Sequence, residues 1–186
     1  MQVILLFVGS LYVVEVLDQL SGSRLQSLGG LEPRENDGLD GILFAPLLHG
    51  PWDHLLANTV PLLVFGFLLL LAGVRRWLAV TAMVWLVGGI GVWLTGGVGT
   101  VHIGASVLVF GWLCYLLLRG VFSRHPGQLA LGVLLLLIYG GVLWGVLPGQ
   151  PGVSWQGHLF GAIGGGLAAW RLGRADRSSG RSQGWP

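Results

Sequence analysis

The chain is 186 residues long, 53% hydrophobic and only 10% charged, with a mean hydropathy of +0.75. Soluble domains carry roughly 25% charged residues, so this composition excludes an ordinary water-soluble globule and predicts one domain lying mostly in a bilayer. The net charge of +2 is too small to point to nucleic acid. The lone Cys114 excludes an internal disulfide and reads as a small apolar packing residue.

Taken in chain order, the apolar runs predict six transmembrane helices near residues 2–18, 55–73, 77–95, 104–120, 128–147 and 154–172. The first run contains Glu15 near its far end and has neither the positive start nor the small-residue cleavage site of a signal peptide. The long 19–53 loop follows, with Glu32, Glu35, Asp37, Asp40 and Asp53; the last of these fits an N-cap of the second span. The loops "TGGVGTVH" and "LPGQPGVS", after the third and fifth spans, have no basic residue, and Pro148 and Pro151 argue against helix in the latter.

All ten basic residues are arginines, and eight of them fall on the other side: Arg75, Arg76, Arg119, Arg124, Arg171, Arg174, Arg177 and Arg181. The positive-inside rule makes that side cytoplasmic, and an even number of spans places both termini there. Residues 1–172 form the membrane domain, and 173–186 read as a polar, disordered cytoplasmic tail whose arginines can touch anionic lipid. No internal repeat suggests the paired halves of a transporter.

Polar side chains are costly inside a membrane and are functional candidates there by default. Four stand out: His54 and Asn58 at the start of the second span, Ser106 at the start of the fourth and His158 at the start of the sixth. Those three spans enter from the same face, and a rise of about 1.5 Å per residue leaves Ser106 and His158 within a few ångströms in depth. Gly157, Gly161 and Gly165 are spaced four apart, the pattern that lets helix backbones approach closely in lipid. A serine hydroxyl becomes a nucleophile when a neighbouring base takes its proton, and histidine suits that task.

Ser106 and His158 therefore form a candidate dyad, with packing to fix the imidazole in place of a carboxylate, since Asp53 precedes its helix. His54 and Asn58, at i and i+4, share a helix face and, with the Ser106 backbone N–H, could bind an oxyanion. A water-bearing cavity is expected on the outer face, lined by His54, Asn58, Ser106, His102 and the loop around Gly96 to Gly99. His49, His54 and His102 lack the HExxH spacing and have no convincing carboxylate partner, so neither a metal nor any other cofactor is expected.

The ordered set H-x-x-x-N (His54, Asn58), G-A-S (Gly104, Ala105, Ser106) and G-H-x-x-G (Gly157, His158, Gly161) resembles bacterial rhomboid intramembrane serine proteases. So do the stretches "APLLHGPWDHLLANTVPLL" and "HIGASVLVFGWL", and the likeness runs from roughly residue 40 to 172. The resemblance implies an all-α, six-helix bundle in the bacterial inner membrane, with an active site opening to the extracytoplasmic side. It also implies that Ser106 attacks the scissile carbonyl and that His158 serves as base and then acid. His54 and Asn58 would stabilise the oxyanion, and Phe110 would lie against the histidine.

Substrates would be transmembrane proteins, entering by lateral movement of the fifth span or its following loop, and the enzyme would be a monomer or weak oligomer. Two departures stand out. Val107 follows the serine where the family commonly has glycine, and the 19–53 loop lacks a clear Trp-Arg pair. The rival readings are a silent rhomboid-like protein that binds membrane clients without cutting them, and a small transporter. The latter fits poorly with the scarcity of ionisable residues at mid-membrane.

Overall fold

The computed structural model describes residues 1–150 and 152–178. It is all-helical: α1 (Gln2–Leu20), α2 (Arg24–Gly29), α3 (Gly41–Phe44), α4 (Trp52–Leu70), α5 (Val74–Thr95), α6 (Ser106–Ser123), α7 (Pro126–Tyr139) and α8 (Trp155–Ser178), with 3-10 turns at Asn36–Gly38, Ala45–Leu47 and Gly140–Val146. Among the described residues, five segments are long and apolar enough to cross a membrane: α1, α4, α5, α6 and the stretch Pro126–Val146 that joins α7 to its 3-10 continuation. The chain is a multi-pass membrane protein.

The sixth expected span, α8, is 24 residues long but falls short of that apolarity among the described residues. Its composition explains this. Apart from His158, its buried positions are glycines and alanines, Gly157, Gly161, Gly164, Gly165, Ala168, Ala169 and Gly173, and arginines occupy its far end. A helix whose surface is taken up by neighbouring helices needs little lipid-compatible side chain of its own. Helix α8 also runs on to Ser178, so the first residues of the expected tail are helical; 179–186 lie outside the described residues, as does Pro151.

In lipid there is no hydrophobic gain in moving an apolar helix from tails to protein, so close packing and polar contacts hold such bundles together. Helix α8 packs most extensively against α6 and then α5. Its glycines are the reason: a Cβ at Gly161 would strike the Val107 carbonyl, one at Gly165 the Gly111 carbonyl, and one at Gly164 would come 2.9 Å from the Val84 Cα. Gly111 is equally constrained by Val84. Gly157, the first of the expected stripe, faces Ser154 and Val92 instead of α6. Around this centre Trp112, Tyr115, Phe65, Leu108 and Leu113 are buried, and the Trp112 indole N–H donates to Thr81 Oγ1 at 3.2 Å. Cys114 is free and half-buried.

The arginine-rich end is tied by an ion pair between Arg76 of α5 and Asp176 of α8, with a second Arg76 contact to Tyr115 Oη of α6. The opposite end is ordered by the 19–53 connection. Buried Asp18 accepts the Leu25 N–H at 2.8 Å and the Gln26 N–H at 3.3 Å, fixing the start of α2. The same connection is pinned to α5: Arg34 donates to the Gly96 carbonyl at 2.7 Å, and the indole N–H groups of Trp85 and Trp93 donate to the carbonyls of Ile42 and Glu35. Leu31 and His102 exchange backbone hydrogen bonds as an isolated antiparallel bridge. The loop's own Arg34 and two tryptophans of α5 thus anchor it, in place of a Trp-Arg pair within the loop. Asp53 is not an N-cap: Pro51 holds that position, and Asp53 accepts the N–H of His54 from inside the first turn.

Candidate active site

Ser106 is the first residue of α6, set there by the turn Gly104–Ala105. Gly104 has φ +119, and a Cβ on it would lie 2.6 Å from His54 Cε1, so both the backbone conformation and the neighbouring ring require glycine. The turn is held by two bonds to the segment before α4. The Gly104 N–H donates to the Ala45 carbonyl at 2.9 Å, and the Ala105 N–H donates to His49 Nε2 at 3.2 Å. His49 is 1% exposed and its ring meets that of His54 edge-on at 5.4 Å. Burial first, and the neighbouring His54 second, lower its pKa from 6.5 to about 4. It is therefore neutral at pH 7, as an acceptor of a backbone N–H must be.

His158 sits one turn into α8 and reaches Ser106 across the glycine contact: Nε2 lies 3.0 Å from Ser106 Oγ. Phe110, one turn below Ser106, stacks on the imidazole with centroids 4.0 Å apart and planes at 9°. The other ring nitrogen, Nδ1, is 2.8 Å from the Gly145 carbonyl oxygen, which the 3-10 segment after α7 supplies. The imidazole is thus fixed by packing and also by a backbone acceptor, which sequence reasoning missed because any residue type carries a carbonyl.

His54 lies against Gly104, two residues before Ser106, while buried Asn58 donates its amide N–H to the His54 carbonyl at 3.0 Å. Ser106 belongs to the first helical turn, where backbone N–H groups have no intrahelical acceptor. A cleft of about 360 Å³, including its open mouth, adjoins the serine. Its lining differs from the expected one: Ile42, Pro46, Gly88, Val92, Val107 and Ser154 contribute, along with His102 and Ser106, but not His54, Asn58 or the loop Gly96 to Gly99. Gly96 is covered instead, abutting Pro33 and receiving Arg34, while Gly97 to Gly99 are exposed.

His102 is engaged by Ser154 Oγ at 2.6 Å and Thr100 Oγ1 at 2.9 Å, and burial lowers its pKa. Val107 is accommodated by α5, where Gly88 leaves the room that its Cγ2 occupies. No group of three His, Cys, Asp or Glu side chains converges among the described residues.

A serine hydroxyl 3.0 Å from a histidine nitrogen, in an all-helical membrane bundle, is the arrangement against which comparison with known proteins can be set. The Rhomboid domain matches residues 37–175, and the chain belongs to the rhomboid family. Among its relatives are uncharacterized proteins of Mycobacterium tuberculosis and Mycobacterium bovis, each 53% identical over 184 residues, covering 95% of this chain and 76% of theirs. An uncharacterized Mycobacterium leprae protein is 50% identical over 184 residues, covering 95% of this chain and 72% of its own.

Proposed function

We propose that the protein is an intramembrane serine endopeptidase that cuts peptide bonds in or near transmembrane segments of other membrane proteins. The observation that carries this reading is the 3.0 Å approach of His158 Nε2 to Ser106 Oγ, on two helices whose glycines bring their backbones into contact. Ser106 Oγ attacks the scissile carbonyl as His158 Nε2 takes its proton. The Ser106 N–H, with His54 and Asn58, meets the oxyanion. Collapse breaks the C–N bond while His158 gives the proton to the leaving amine. Water then attacks the acyl ester, its proton passes to His158 and on to Ser106 Oγ, and the new carboxyl terminus departs. No metal or other cofactor takes part.

In this reading α8 is the sixth span, both termini are cytoplasmic, and the site opens to the extracytoplasmic side of a bacterial inner membrane. The arginine-rich ends of α5, α6 and α8 support that orientation. Partners are transmembrane substrates and the surrounding lipid, and the protein acts as a monomer or weak oligomer. The test is cleavage of a reporter transmembrane segment in proteoliposomes. Wild-type protein is expected to cut it, while Ser106→Ala and His158→Ala are not. Reporter binding without cleavage by folded wild-type protein would replace this reading with that of a client-binding relative.

A further inference from the structure

The two nitrogens of His158 bond in opposite directions, Nε2 to Ser106 Oγ at 3.0 Å and Nδ1 to the Gly145 carbonyl at 2.8 Å. A carbonyl oxygen only accepts, so Nδ1 carries the ring proton and Nε2 turns its lone pair to the serine. That is the tautomer a general base needs. The acceptor belongs to neither of the helices that hold the pair. It lies in the 3-10 segment Gly140–Val146, none of whose residues is buried, and which continues directly from α7. Helix α7 itself buries only Gln128, Gly132 and Leu135 and packs chiefly on α6.

We propose that the Gly145 carbonyl is the positioning group of His158, filling the place of the carboxylate in a three-membered serine site, so that the seating of α7 decides whether the base is armed. A displaced α7 carries the carbonyl away, frees the imidazole to exchange tautomers and leaves Ser106 unactivated; a seated α7 restores it. The catalytic meaning of this rests on the protease reading above, whereas the tautomer itself does not.

The segment supplies its own controls. A Cβ at Gly145 would lie 2.8 Å from Phe110 Cζ and 3.1 Å from His158 Nδ1, whereas one at Gly141, in the same segment, meets nothing within 4 Å. At a distance from the pair, a Cβ at Gly132 would lie 2.8 Å from the Leu117 carbonyl oxygen, so a larger side chain there pushes α7 off α6. The experiment combines ¹⁵N spectra of His158 in the detergent-solubilised protein with the rate of fluorophosphonate labelling of Ser106.

Wild type is expected to show a protonated Nδ1. Gly145→Ala and Gly132→Leu should each show mixed tautomers and label at least about tenfold more slowly, while Gly141→Ala matches wild type on both. An unprotonated Nδ1 in wild type, or unchanged spectra and rates in Gly145→Ala, would overturn the positioning role. An unchanged His158 spectrum in Gly132→Leu would overturn the link to α7. Wild-type protein that shows the Nδ1–H yet never labels would refute the protease reading while upholding the positioning geometry.

Discussion

Acidification should unseat the turn before Ser106 through His49. In the folded protein its Nε2 accepts the Ala105 N–H, and burial holds its pKa at about 4 against 6.5 for the free side chain. Between those two values the unfolded chain binds a proton that the folded chain refuses, so stability is complete above pH 6.5 and falls as pH drops towards 4. The gap corresponds to about 3 kcal/mol at 1.36 kcal/mol per pH unit, reached once both states are protonated. For a chain of this size that is about 6–12 °C of thermal midpoint.

Carboxylates and other histidines titrate in the same range, so the informative quantity is the difference from His49→Gln. Glutamine offers a carbonyl oxygen to the Ala105 N–H and takes up no proton. Thermal unfolding in detergent at a series of pH values should show the wild type losing about 6–12 °C more than His49→Gln between pH 7 and 4. Parallel curves for the two proteins, or an NMR titration of His49 near 6.5, would mean that His49 is not the source of the acid sensitivity.

Three further outcomes follow from packing. Gly165→Ala sets a methyl against the Gly111 carbonyl; it should destabilise the fold by about 1–3 kcal/mol in reversible unfolding and reduce Ser106 labelling as α6 and α8 part. Gly88→Ala collides with Val107 Cγ2; it should be destabilising alone and substantially relieved in combination with Val107→Gly, with a coupling of about 0.5–3 kcal/mol in a double-mutant cycle. Arg76→Ala removes the ion pair to Asp176 and the contact to Tyr115 Oη at the arginine-rich end, where both charged side chains are mostly buried; unfolding should register a loss of about 1–3 kcal/mol, with labelling of the distant Ser106 nearly unchanged.

Much of the architecture was legible because the bilayer imposes it: runs of apolar residues can only be helices there. Glycine spacing in α8 likewise pointed to close contact. The helix ends shifted by a few residues, and the fifth run, expected as one span over 128–147, gives up α-helical geometry at Gly140, where two adjacent glycines weaken the helix.

The polar side chains around the serine were legible as residue types at matching depth, which is why Ser106 and His158 pair on the sequence alone. What could not be read were contacts made by backbone or carried across long sequence separations. His49 looked like one of three scattered histidines, yet it holds the Ala105 N–H from 56 residues away. The cleft lining depended on how the 19–53 connection folds back on α5, and nothing local in that polar stretch encodes Arg34 reaching Gly96. The Val107 departure made sense only with Gly88 opposite it on another helix.

The most direct test of the central claim is fluorophosphonate labelling of the purified, folded protein, read by intact mass and peptide mapping beside Ser106→Ala and His158→Ala. A single adduct on Ser106 that disappears in Ser106→Ala and is strongly reduced in His158→Ala is the predicted result. Equal labelling of wild type and both variants, or none in any, would mean that the hydrogen bond between these two side chains activates nothing.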